Sequence, residues 1–168
     1  IEHVAIASVN ADFTKRIGRN ELRYGVDAFY NKVNSTAYVQ DILVDTTGKL
    51  DTRFPDGGSS MTSIAAYATH TIEFSNKLIL NDGIRFSNVG LSSTFIDKTY
   101  FPLPVNSIKQ NNSALNGNIG LIYMPNNKWR ITATGSTGFR APNVDDMTKV
   151  FESVPGKVVV PNAIVGLI

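Results

Sequence analysis

Apolar and polar side chains alternate one for one through much of this chain. They do so over runs longer than the roughly five or six residues usual for strands of soluble sheets. From 22 to 31, LRYGVDAFYN sets Leu22, Tyr24, Val26, Ala28 and Tyr30 on one side and Arg23, Gly25, Asp27, Phe29 and Asn31 on the other. A period of two belongs to an extended strand, whose successive side chains point to opposite faces. In 5–13, Ala5, Ala7, Val9, Ala11 and Phe13 alternate with Ile6, Ser8, Asn10 and Asp12. In 129–139, Trp129, Ile131, Ala133, Gly135, Thr137 and Phe139 alternate with Arg130, Thr132, Thr134, Ser136 and Gly138. Similar runs near 61–74, 78–90 and 114–124 bring the expected strands to six.

The connections alternate as well. GRNE (18–21), SNK (75–77) and MPNNK (124–128) are short and rich in the residues of hairpin turns. The segments 40–60 and 96–112 are long, polar and without a clean period, and read as loops. Short turns at one end and long loops at the other predict an all-β, antiparallel up-and-down meander.

Two kinds of protein are built this way. A soluble barrel or sandwich hides its apolar face, whereas an outer-membrane barrel turns that face to lipid and its polar face to the lumen. Alternation alone does not separate them. In the second strand the apolar side runs nine residues, Leu22 to Tyr30, and then turns polar at Lys32, Asn34 and Thr36. About 9–11 tilted residues cross a bilayer, so the band has the height of a membrane span. The opposite side is poor in the Lys and Glu expected of a solvated face. Part of a large transmembrane β-barrel is the favoured reading.

Composition narrows the field further. A net charge of +2, with no basic run longer than Lys15-Arg16, gives no electrostatic footprint for nucleic acid. The absence of cysteine removes disulfides and thiolate chemistry. No apolar run approaches the roughly 20 residues of a membrane helix. The start, IEHVAIASVN, lacks the features of a secretory leader and reads as a mature product or an excised piece. No phosphate loop, nucleophile–base pair or paired carboxylates apart from Asp145-Asp146 can be found, so neither an enzyme nor a cofactor is expected.

Aromatics mark the ends of the band, where ring and polar tip both find suitable surroundings. Tyr24, Tyr30, Tyr123 and Trp129 are the expected interfacial set. Facing Ile17 against Leu22 places Lys15 opposite Tyr24, and the last hairpin is expected to place Tyr123 opposite Trp129. Facing Phe74 against Leu78 sets His70 opposite Asp82. Both depart from an apolar face, and an unpaired charge there costs a few kcal/mol; either a cross-strand pair or local cover of this face by protein is expected. No second His or carboxylate cluster stands at metal-ligand spacing from His70.

One stretch carries a family likeness. ATGSTGFRAPNVDDMTKVFESVPGKVVVPN (133–162) resembles the late-barrel region of TonB-dependent outer-membrane receptors, in which a strand ends in Phe-Arg-Ala-Pro. LNDGIRFSNVG (80–90) and IAAYATHTIEFSNKLIL (64–80) resemble earlier strands of such barrels, in the same order. In this register Phe139 closes the apolar band, Arg140 and Ala141 lead back to the polar side, and Pro142, with Asn143, ends strand pairing as the chain leaves the bilayer.

The resemblance implies a bacterial outer-membrane receptor that imports a scarce nutrient: a ferric siderophore, haem, a cobalamin or an oligosaccharide. The TonB complex would drive it by acting on a plug domain, with the lipid bilayer as the other partner. Haem-receiving members carry a His after the motif, and 143–161 contain none. A complete barrel of this class has about 22 strands. Residues 1–168 are therefore expected to be a partial barrel domain, with the plug and the C-terminal strands absent. Two alternatives remain at this point: a soluble or surface-exposed β-meander for binding or adhesion, using Phe54, Tyr100 and Phe101, and a passive porin-like barrel.

Overall fold

The computed structural model describes residues 1–50, 52, 54–99, 105–144 and 146, together with the backbone of Phe151–Val154 and Lys157–Val159. The chain is all-β. Strands β1 (Glu2–Ile17), β2 (Asn20–Ser35), β5 (Ser59–Ser75), β6 (Leu78–Thr94), β7 (Ser107–Asn126) and β8 (Trp129–Ser136) form one antiparallel sheet in the order β1-β2-β5-β6-β7-β8. Two hairpins stand apart from it, β3 (Ala37–Asp41) with β4 (Thr46–Leu50), and β9 (Phe151–Val154) with β10 (Lys157–Val159).

The three tight turns are two residues each, and local chemistry explains them. Gly18 opens the first with φ +59°, the positive value that primed hairpin turns require and that glycine adopts without a Cβ clash. In the second, the Ser75 hydroxyl accepts the Lys77 N–H at 3.2 Å. In the third, the Asn126 side-chain oxygen accepts the N–H groups of Lys128 and Trp129 at 2.9 and 3.1 Å.

Pairing carries side chains across the sheet in continuous rows. One row runs Ala11, Val26, Ala66, Phe86, Leu115, and the next Phe13, Tyr24, Ala68, Ile84, Gly117. The row at the first turn, Ile17 and Asn20, continues through Ile72, Leu80, Leu121 and Ala133. Ile72 lies three residues short of the end of β5, and Leu121 five short of the end of β7. The turns therefore step down relative to the rows, the stagger of strands tilted in a barrel wall.

Several expectations are corrected by this register. Ile17 pairs with Asn20, Lys15 with Leu22 and Phe13 with Tyr24. Reading GRNE as the whole turn made that turn two residues too long, an even error that keeps each side chain on its face. Tyr123 pairs with Ile131, not Trp129, because the ladder shifts before Asn126 meets Trp129. Phe74 is skipped where Ser75 pairs with Leu78, yet beyond that bulge His70 stands opposite Asp82. The segment 40–60, read as a loop, holds the end of β3, all of β4 and the first two residues of β5, and β7 already begins at Ser107. Strand β8 ends at Ser136, before Phe139 and Pro142.

Candidate functional site: a two-faced wall

The two faces of the sheet differ in the sense opposite to a soluble protein. Among the described residues, the buried positions of the main sheet, Ala65, Ser87, Val89, Leu91, Ser93, Ile108 and Ile122 among them, all lie on the polar face. The large apolar side chains of the other face are open: Val26 is 53% exposed, Phe86 50%, Leu115 66% and Ile131 56%. Ala133 is exposed beside them. Water is a poor neighbour for such a surface, at about 25 cal/mol per Å² of apolar area.

Measured on each strand from its own turn, the apolar band spans ten to thirteen residues. Twelve residues separate Asn20 from Lys32, thirteen Ser75 from Thr62, ten Leu78 from Asn88 and thirteen Asn126 from Ser113, where each strand's apolar side turns polar. At about 3.3 Å per residue and a tilt near 40°, ten residues rise about 25 Å, the height of the apolar band of a membrane barrel.

The expected aromatics fall at different depths. Tyr30 is two residues from Lys32, at the loop end of the band; Trp129 is the first residue of β8, and Tyr123 pairs with Ile131 next to it. Tyr24 lies four residues in from Asn20 and stacks on Phe13, ring centroids 5.4 Å apart. His70 Nδ1 is 3.5 Å from Asp82 Oδ1, five residues inward from Ser75.

The polar face carries a network across the strands. The Tyr67 hydroxyl on β5 donates to the Asp12 carboxylate on β1, spanning β2. It can do so because residue 25 is glycine: a Cβ there would lie 2.7 Å from Asp12 Oδ1 and 2.8 Å from the Tyr67 oxygen. Arg85 on β6 reaches Asp27 on β2, Nη2 to Oδ2 2.8 Å, and lies 5.9 Å from the centre of the Tyr67 ring. Both partners are partly open, so the pair contributes about 1 kcal/mol or less; its effect is to tie β2 to β6 across β5, as the Tyr67–Asp12 bond ties β1 to β5 across β2. Glycine inside a strand signals such close approach, and Gly25 was the sequence clue to this network, which periodicity alone does not show.

At the loop end, Leu91, Phe95, Ile108 and Val144 form a small core, with Phe54, Met61 and Val105 against it. The Phe-Arg-Ala-Pro-Asn turn delivers Val144 to that core. Phe139, Ala141 and Pro142 are half-buried and Arg140 and Asn143 exposed. Arg140 Nη2 donates to both oxygens of Asp146, at 3.2 and 2.9 Å. The Asn143 N–H donates to Asp146 Oδ2 at 3.1 Å and the Asp146 N–H to Asn143 Oδ1 at 2.8 Å, the reciprocal pattern of a capping box. What ends the β8 ladder is Thr137, whose N–H and hydroxyl oxygen both engage Gly117 at 2.9 Å. Pro142 instead lies within a turn closed by Asp146. In the neighbouring loop, Asp56 accepts the N–H groups of Ile96 and Asp97, and hydrogen bonds from Thr99 hold the Asp97 carboxyl below the usual carboxylate range.

Tyr100, Phe101, Asp145 and Pro161-Asn162 lie outside the described residues. Phe54, read in one alternative as a contact aromatic, packs on the loop-end core. Among the described residues no three His, Asp or Glu side chains gather as metal ligands.

An exposed apolar band ten to thirteen residues deep, backed by a polar face and staggered turns, defines a stretch of wall from a large transmembrane β-barrel. Comparison with known families agrees: residues 4–164 match the TonB dependent receptor-like, beta-barrel family, and the chain belongs to it. Among solved structures it is similar to one described as Copper transporter OprC, with a TM-score of 0.71 and 16% identity. The alignment covers 88% of this chain and 23% of that one, so this chain spans less than a quarter of its length. At that identity the likeness shows the fold. Comparison with curated proteins finds no match.

Proposed function

We propose that the chain is part of the barrel wall of a bacterial outer-membrane receptor that imports a scarce nutrient with energy relayed by the TonB complex. The remaining strands and a plug domain belong to the same receptor outside these 168 residues. The observation that carries the reading is the exposure of Tyr24, Val26, Ile131 and Ala133, which a soluble meander would pack inside. In this orientation the long connections face outward and the three tight turns face the periplasm. Tyr30 marks the outer boundary, Tyr123 and Trp129 the periplasmic one, and Tyr24 with Phe13 lies between them. The polar face of Asp12, Asp27, Tyr67 and Arg85 lines the lumen. His70 and Asp82 satisfy each other within the lipid-facing band. The Phe139–Asn143 turn shapes the outer rim, and Arg140 braces it through Asp146.

Ferric siderophore, haem, cobalamin and oligosaccharide are the candidate cargoes, and the copper transporter likeness adds a metal ion. The test is growth of a strain lacking the receptor on each cargo at limiting concentration, with complementation in cells with and without TonB. Uptake that requires both the receptor and TonB is expected. Uptake unaltered by loss of TonB refutes energised import and leaves a passive pore. Recovery of the protein in the soluble fraction refutes the membrane reading altogether.

A further inference from the structure

The lipid-facing side of the wall carries charge towards its turn end, and that charge is sorted sideways. Lys15, Leu22, His70 and Asp82 form one row across β1, β2, β5 and β6, with the lysine at one end and the carboxylate at the other. Three strand spacings, about 14 Å, separate those ends. Lys15 is exposed and makes no ion pair among the described residues. The His70 contact engages Asp82 Oδ1 at 3.5 Å and leaves Oδ2 without a partner among the described residues, on a side chain that is 45% exposed. Ionisable groups facing lipid are costly, and where they persist they mark a contact whose other half can be sought.

Shape is sorted in the same direction. On β1 and β2, Phe13 and Tyr24 stack into a ridge. On β5 and β6 the small side chain of Ala68 leaves a hollow of ≈ 730 Å³, bounded there by His70, Asp82 and Ile84 and running down to Lys15 and Leu22. Ridge and hollow sit at one depth: four residues separate Phe13 from Ile17, Tyr24 from Asn20 and Asp82 from Leu78, and five separate His70 from Ser75. Lys15 is only two residues from Ile17. That puts it about 5 Å below the level of Asp82, at about 3.3 Å per residue and a tilt near 40°.

We propose that this patch docks a second copy of the same chain, related to the first by a two-fold axis along the membrane normal. Such an axis keeps depth and exchanges left for right. What stands on β1 and β2 of one copy therefore meets what stands on β5 and β6 of the other, and the contact is made twice. The Phe13–Tyr24 ridge of each copy enters the partner's hollow, and each Lys15 reaches the free oxygen of the partner's Asp82, its flexible stem spanning the offset in depth. The two walls cross at about 80°, twice the strand tilt, which is the orthogonal mode of sheet packing. Acyl chains in that place give an ammonium and a carboxylate nothing to bond, whereas a second copy supplies the missing half of each contact. The inference rests on the membrane orientation proposed above.

The test is native mass spectrometry of the full-length receptor in mild detergent, with two differently tagged charge variants, Lys15→Asp and Asp82→Lys, whose folding is checked by heat-modifiable gel mobility. Wild type is expected as a dimer. Either variant alone brings like charges together at both contacts and should dimerise on the order of a hundredfold more weakly. Co-expressed, the two variants restore opposite charges at both contacts and should form a mixed dimer. Ala68→Trp fills the hollow without altering charge; it should also weaken the dimer, and it keeps the test open if a charge variant fails to fold. A monomeric wild type overturns the proposal, as does a wild type that holds lipid or a different protein at this patch in place of its copy. Variants that dimerise alone as wild type does, or that stay apart when co-expressed, overturn it equally. Such a result in a receptor that still supports TonB-dependent uptake removes the dimer alone. A protein that stays monomeric without detergent removes both the dimer and the orientation beneath it.

Discussion

Val26 lies midway along the outward side of β2, six residues from Asn20 at the turn and six from Lys32 at the polar edge. Val26→Arg therefore places a guanidinium at the centre of the hydrocarbon, at a cost of about 2–4 kcal/mol for barrels in lipid. Tyr30→Arg, two residues from Lys32, should cost about 0–1 kcal/mol, because the side chain reaches the headgroups. Asn10→Arg is the control on the opposite face: Asn10 pairs with Asp27, so the new cation meets water and a carboxylate, and the change should stay within about 0.5 kcal/mol. The assay is equilibrium refolding of the receptor barrel into vesicles across a denaturant series, followed by heat-modifiable gel mobility. The ranking matters more than any single value. In a protein core Tyr30 would be the costlier site, because losing a buried aromatic costs about 3–5 kcal/mol. A Tyr30→Arg penalty equal to or above that of Val26→Arg refutes the lipid-facing assignment, as does a Val26→Arg penalty under about 0.5 kcal/mol.

Three further outcomes follow from the geometry. His70→Ala leaves Asp82 alone in the band and should cost about 1–3 kcal/mol, while adding Asp82→Ala should recover most of it; in the same refolding assay, additive losses or no loss in either single variant sink the pairing. Gly25→Ala forces a Cβ to within 2.6 Å of the Ala11 carbonyl as well as against Asp12 and Tyr67, an overpacking penalty of about 1–3 kcal/mol. Adding Tyr67→Phe should recover only part of that, since the backbone contact remains, and full recovery would show that the hydroxyl was the sole obstacle. Asp146→Ala removes the acceptor for Arg140 and Asn143, a loss of about 1 kcal/mol. Hydrogen exchange at the Asn143 amide should then quicken about fivefold while the β6–β7 ladder is unaffected; unchanged exchange there would mean the turn does not depend on Asp146.

The strand content, the meander and the sorting of faces were legible in the amino-acid order, because a strand's side-chain period is two whatever it later packs against. Even a two-residue error at the first turn left Tyr24 and Val26 on their proper side. The depth of the band could be counted for the same reason, from Leu22 to the change at Lys32. Local chemistry determines nothing about contacts between distant strands. Periodicity does not show that Asp12 and Tyr67 join across Gly25, nor that Arg85 crosses to Asp27, since those depend on the stagger accumulated over several turns. The β3–β4 hairpin was hidden because five-residue strands standing off the main sheet need no clean alternation. The Phe-Arg-Ala-Pro-Asn turn shows both halves of the lesson. Its composition marked a change of direction, and the groups that close it, Arg140, Asn143 and Asp146, are close in sequence; only the folded chain shows Val144 seated on Leu91 and Ile108, because the surface that receives it comes from strands some thirty to fifty residues earlier.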